Sequence, residues 1–181
     1  MGLANSVTIV RILLIPVFVT LLVYDRVALG LGTFVLAGMT DTLDGYIARR
    51  RGTATRLGAF LDPLADKLLL TSAFITLTYR FPHVLPFWVT AVVLSRDGLM
   101  VLVAALIMLT GGRVHPEPSR LGKTSTALQM VTVGVALLVV AGGDGLAPVL
   151  RALTWLTAAL TLASGLQYLR ATPRYVDWGT R

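Results

Sequence analysis

The chain has 181 residues, of which 55% are hydrophobic and 14% charged, with no cysteine and a formal net charge of +7. A typical soluble domain runs at roughly 45–50% apolar and about 25% charged residues, so this chain has too little charge to solvate a globular surface, and its mean hydropathy of +0.77 agrees. Intrinsic disorder, a disulfide scaffold and cysteine-ligated metals are excluded, and in so apolar a chain the positive balance points to an anionic lipid surface rather than to nucleic acid.

A helix needs about 20 apolar residues to cross the hydrocarbon core of a bilayer. The first such block is Val7–Tyr24. It lacks a basic leader and a small-residue cleavage site, and is read as a retained span rather than a signal peptide. Asp25-Arg26 separates it from Val27–Ala48, and Arg49–Thr55 leads into Leu57–Tyr79. Arg80-Phe81-Pro82 precedes Val84–Thr110, and Gly111–Arg120, with Pro116 and Pro118, is the longest loop. Leu121–Ala141 then turns tightly at Gly142-Gly143-Asp144-Gly145 into Leu146–Leu169. These blocks predict an all-α polytopic membrane protein of six helices, a single domain over residues 1–181.

Orientation follows from the basic residues. With the N-terminus inside, the inner loops and tail hold Arg49, Arg50, Arg51, Arg56, Arg113, Arg120, Lys123, Arg170, Arg174 and Arg181, against Arg26, Arg80 and Arg151 outside. Both termini and the Arg49–Arg56 and Arg113–Lys123 loops should therefore face the cytoplasm, as in a bacterial-type inner membrane. Trp88, Trp155, Tyr168 and Trp178 fall near span ends, where an interfacial aromatic belt accounts for them.

Of nine acidic residues, five lie inside apolar blocks: Asp41, Asp44, Asp62, Asp66 and Asp97. Arg11, Lys67 and Arg96 do as well. A charge at mid-span costs a few kcal/mol, so it pairs or lines a cavity. Arg96–Asp97 reads equally well as a simple ion pair. The other four carboxylates outnumber the cations available to pair them. Asp41 and Asp44 are three apart and Asp62 and Asp66 four apart, so each pair shares a helix face. At about 1.5 Å of rise per residue from the intervening loop, the two pairs reach matching depths just inside the cytoplasmic side. Four like charges that close disfavour one another's ionised form. Two Mg²⁺ or Mn²⁺ ions would resolve this, since Mg²⁺ takes carboxylates together with substrate phosphates, and a two-metal carboxylate site suits phosphoryl transfer. Gly45, Ala48 and Gly58 keep the adjoining faces small, either for a bulky ligand or simply for close helix packing. Arg49, one turn beyond Gly45, is placed to hold a diphosphate oxygen.

In order, the stretch reads Asp41-Thr-Leu-Asp44-Gly45-Tyr-Ile-Ala48-Arg49, eight residues, then Gly58-Ala-Phe-Leu-Asp62-Pro-Leu-Ala-Asp66. It resembles, with all eight fixed positions matched across 26 residues, the signature of the CDP-alcohol phosphotransferase family of integral membrane enzymes. The resemblance extends to the six-helix architecture and so covers nearly the whole chain. It implies transfer of a phosphatidyl group from CDP-diacylglycerol to an alcohol, with release of CMP. It further implies that Asp41, Asp44 and Asp62 hold the metal ions with the diphosphate, and that Asp66 ligates metal and acts as general base. Gly45, Ala48, Arg49 and Gly58 would shape the nucleotide pocket. Asn5 and Thr8, in an Asn-x-x-Thr-x-x-Arg opening that ends at Arg11, resemble further nucleotide contacts, although helix capping by Asn5 or Ser6 explains that opening as well. A homodimer is implied by the resemblance alone.

The acceptor is read from smaller features. Leu57–Lys67, Lys123 in Leu-Gly-Lys-Thr and Gln129-Met130 resemble the branch that makes anionic glycerophospholipids. Within it, Arg96-Asp97 followed by an arginine-free Val101–Leu109 is more similar to cardiolipin synthases, which accept phosphatidylglycerol, than to phosphatidylglycerophosphate synthases, which accept glycerol 3-phosphate. A phosphomonoester carries nearly two charges and calls for several cations; a diester carries one. Arg96, Arg120 and Lys123 remain to meet the acceptor phosphate, with Lys67 a counter-charge for the aspartates. The alternative acceptor is glycerol 3-phosphate. An alternative of another class is an ion transporter using the buried carboxylates. His83 and His115 fall in loops on opposite sides of the membrane, which removes histidine-based catalysis and metal sites.

Overall fold

A computed structural model of the chain describes residues 3–51, 56–109, 113–114 and 120–177, with side chains over 10–40, 65–109 except 104, 108, and 120–170. Six α-helices account for most of it: α1 Leu3–Val23, α2 Val27–Arg51, α3 Arg56–Arg80, α4 Phe87–Leu109, α5 Arg120–Val140 and α6 Ala147–Tyr175. A single 3₁₀ turn, Asp144–Leu146, precedes α6. β1 (Arg113–Val114) pairs antiparallel with β2 (Val176–Asp177), a two-residue ladder that joins the α4–α5 connection to the segment after α6.

Among the described residues, Phe87–Ile107, Arg120–Val140 and Asp144–Arg170 are long and apolar enough to cross a membrane, and Val10–Val23 and Val27–Thr40 are shorter apolar stretches. Large apolar side chains cover the outside, and polar ones lie buried beside an apolar core. Leu13, Leu29, Met39, Val101, Leu102 and Leu162 are exposed, while Arg11, Arg96, Ser125, Gln129, Thr157 and Thr161 are buried. In water that arrangement would be costly twice over. In lipid it is the economical one, because the tails welcome leucine and only protein can satisfy the polar groups.

Backbone contacts divide the chain into two compact units, Met1–Leu85 with Val133–Ala147, and Pro86–Thr132 with Pro148–Arg181. In the first unit α1 packs against both α2 and α3. Phe18 and Phe34 meet with ring centroids 5.8 Å apart. A side chain at Gly30 would come within 3.0 Å of Leu22, so glycine there permits the close approach of α1 and α2. α1 ends in a Schellman motif with Asp25 left-handed at φ 58°. Arg26 N–H bonds Leu21 O at 2.8 Å and Asp25 N–H bonds Leu22 O at 3.2 Å. The Asp25 carboxylate in turn receives the Arg80 guanidinium at 2.7 Å on both oxygens, tying the α1–α2 turn to the end of α3. α5 ends the same way. Gly142 has φ 107°, and a Cβ on Gly143 would lie 2.8 Å from Leu138 O, so both positions of that turn require glycine.

In the second unit a polar seam runs between α5 and α6. Thr132 and Thr157 hydroxyls lie 2.7 Å apart, Gln129 Nε2 donates to Thr161 Oγ1 at 3.1 Å, and Ser125 Oγ sits 3.1 Å from that same oxygen. Interhelical bonds of this kind contribute about 0.6 kcal/mol each on average within a bilayer. Trp88 of α4 and Trp155 of α6 also meet, with ring centroids 4.6 Å apart.

Candidate active site

The motif lies on two uninterrupted helices. α2 continues to Arg51, which places Asp41, Asp44, Gly45, Ala48 and Arg49 on one rod, with Asp41, Asp44, Gly45 and Ala48 at the spacing of a single face. α3 begins at Arg56, so Gly58, Asp62 and Asp66 recur every fourth residue on one face of that helix. The side chains of Asn5, Thr8, Asp41, Asp44, Gly45, Ala48, Arg49, Gly58 and Asp62 lie outside the described residues.

Asp66 is described, and one of its partners is a residue from the first helix. Arg11 Nη1 on α1 donates to Asp66 Oδ1 at 2.8 Å. The arginine side chain is 1% exposed and the aspartate 26%. An isolated guanidinium inside a span is expensive; paired with a carboxylate it is tolerated. The donor chemistry of the motif's four aspartates, hard carboxylate oxygens with no sulfur or imidazole among them, fits Mg²⁺ or Mn²⁺.

The three residues expected at the acceptor phosphate belong to the second unit. Arg96 on α4 is 8% exposed. Its Nη1 bonds Asp97 Oδ1 at 2.6 Å and its Nη2 bonds Ser164 Oγ of α6 at 2.9 Å, while Nε is buried with no hydrogen-bond partner. Gly165 makes room for this side chain: a Cβ there would sit 3.3 Å from Arg96 Cγ. The Arg96–Asp97 ion pair is therefore formed. Arg120 and Lys123 lie on the first turn of α5, three apart on one side, and both are exposed.

Comparison with known proteins decides the family. The model described as CDP-alcohol phosphatidyltransferase matches residues 1–163. The chain belongs to that family. Among curated relatives it is 35% identical to a probable cardiolipin synthase (CMP-forming) of Drosophila melanogaster, over 93% of this chain and 57% of the relative. It is 36% identical to a probable phosphatidylglycerophosphate synthase of Mycobacterium tuberculosis, over 93% of this chain and 80% of that one. Its fold is shared with the crystal structure of Mycobacterium tuberculosis phosphatidylinositol phosphate synthase with CDP-DAG bound, at a TM-score of 0.63 and 22% identity, covering 98% of this chain and 92% of the other. With three helices able to cross a bilayer and this family, the chain is an integral membrane protein.

Two features of this family member escape a reading of apolar blocks. Thr154, Thr157, Thr161 and Ser164 recur at intervals of three and four along α6, and this polar stripe in an apolar helix is the signal that marks the buried seam. The Arg11–Asp66 pair had both members visible as intramembrane charges, but nothing in their spacing joins residues 55 positions apart.

Proposed function

We propose that the chain, acting as a single domain over residues 1–181, transfers the phosphatidyl group of CDP-diacylglycerol to an alcohol and releases CMP. The observation that carries this is the complete motif on α2 and α3, whose last aspartate is a carboxylate held ready by an intramembrane arginine. Asp66 accepts the proton of the acceptor hydroxyl, whose oxygen then attacks the lipid-bearing phosphorus of the diphosphate. Asp41, Asp44 and Asp62, with Asp66, would hold two Mg²⁺ or Mn²⁺ ions, which supply charge stabilisation on the phosphoryl oxygens. Gly45, Ala48 and Gly58 leave space for the nucleotide, and Arg49, Asn5 and Thr8 bind it. The active site faces the cytoplasm of a bacterial-type inner membrane, and the protein works as a homodimer.

Phosphatidylglycerol is the acceptor that the described residues favour. Arg96, a buried cation of the second unit, has its charge met by Asp97, which suits a monoanionic diester better than a phosphomonoester with nearly two charges. Glycerol 3-phosphate is the second reading, favoured by the exposed Arg120 and Lys123 on one side of α5. Curated relatives carry both activities in their names. Ion transport through the buried carboxylates finds no support in the family assignment. Offering the two acceptors separately to purified protein and identifying the lipid product tests the choice. Cardiolipin from phosphatidylglycerol, with no product from glycerol 3-phosphate, is expected; phosphatidylglycerophosphate alone would reverse the assignment.

A further inference from the structure

The Arg11–Asp66 pair joins α1 to α3 across the interior of the first unit, and its partners are not equally reachable. Arg11 is 1% exposed on its side chain and Asp66 26%, at a separation of 2.8 Å. A guanidinium that deep is closed to a lipid or a soluble alcohol entering from outside, whereas the carboxylate is partly open to one. Arg11 therefore acts on the chemistry through Asp66. Its neighbours along α1 are apolar from Val7 to Val17 apart from Thr8, so the charge is not there for solvent.

We propose that Arg11 is a positioning residue: it fixes the orientation of the Asp66 carboxylate on α3 and supplies the counter-charge that lets it stand inside an apolar helix between turnovers. The inference rests on the reading of Asp66 as the proton acceptor. A carboxylate offers about four lone-pair sites on two oxygens, of which the Arg11 N–H takes one on Oδ1. The planar, delocalised guanidinium constrains the direction of that bond, which an ammonium point charge does not. Misplacing a reacting group by about 1 Å costs on the order of 10²-fold in rate.

The test uses the full chain in detergent or lipid with three variants, Arg11→Gln, Arg11→Lys and Asp66→Asn. It reads kcat and KM for CDP-diacylglycerol, and separately the affinity for Mn²⁺ with no lipid present. Arg11→Gln should lower kcat about 10²-fold with KM within about threefold of wild type and Mn²⁺ binding unchanged or tighter, since a positive charge beside the carboxylates is gone. Arg11→Lys should recover about tenfold of that loss, remaining about tenfold below wild type. The inference is overturned if Arg11→Gln keeps wild-type kcat. It is equally overturned if kcat and Mn²⁺ affinity are lost together and lysine restores neither, the pattern of a residue that only holds the fold. Should Arg11→Gln not fold, Arg11→Lys decides: a roughly tenfold lower kcat at unchanged Mn²⁺ affinity supports positioning, and wild-type kcat refutes it. Normal turnover by Asp66→Asn would remove the reading of Asp66 and this inference with it, whereas an inactive Asp66→Asn beside a fully active Arg11→Gln would remove the inference alone.

Discussion

Asp66→Asn is expected to lower CMP release about 10³-fold, within the range of about 10²–10⁴ that a positioned general base contributes. The amide has nearly the shape of the carboxylate and keeps an oxygen for Arg11, but it does not accept the proton of an attacking hydroxyl. Binding of CDP-diacylglycerol should change little, because Asp41, Asp44 and Asp62 remain. The variant also strands the Arg11 charge. Removing one member of a fully buried ion pair costs about 3–5 kcal/mol, and the partial exposure of Asp66 reduces that figure here. A lower melting temperature with intact lipid binding and lost turnover is therefore the expected pattern. Turnover within a few-fold of wild type, at any stability, would exclude Asp66 as the base.

The second large effect is expected at the other end of the motif. Asp41→Asn and Asp44→Asn should each raise the Mg²⁺ concentration needed for half-maximal activity at least about tenfold and weaken CDP-diacylglycerol binding in parallel, because one set of carboxylates serves both. Chelating the divalent ion from the wild-type protein should abolish turnover, consistent with the several kcal/mol that a bound metal supplies, at about 1.4 kcal/mol for each factor of ten. Titrating Mg²⁺ against activity in each variant makes the comparison. A wild-type Mg²⁺ profile in either variant would contradict the ligand assignment.

What the sequence made legible was whatever a single helix determines by itself. Apolar length located all six helices, and Gly142-Gly143 announced a turn that indeed needs glycine at both positions. Helix ends were less legible where charge replaced apolar residues without breaking the backbone. α2 runs on from Ala48 to Arg51, and α6 from Leu169 to Tyr175, because arginine and tyrosine end a hydrophobic block but are compatible with helical hydrogen bonding. Contacts between distant segments were not legible. Asp25 reads as a loop residue, yet it takes a left-handed helix cap and accepts bonds from Arg80 Nη2 on both carboxylate oxygens. The β1–β2 ladder, two residues long, leaves no periodicity to detect. At the candidate site the motif gave residue types and their faces, whereas the arginine that meets Asp66 comes from a helix whose pattern carries no mark of its partner. Arg96–Asp97 was visible because the two are adjacent in sequence; the third member, Ser164, was not.

Phosphatidyl transfer is tested most directly by the formation of CMP by purified protein supplied with CDP-diacylglycerol, Mg²⁺ and phosphatidylglycerol. CMP that appears only when all three are present, one molecule for each molecule of new lipid, is the predicted result. Folded, metal-binding protein that forms no CMP with phosphatidylglycerol, glycerol 3-phosphate or any other alcohol would contradict phosphatidyl transfer as the function of this chain.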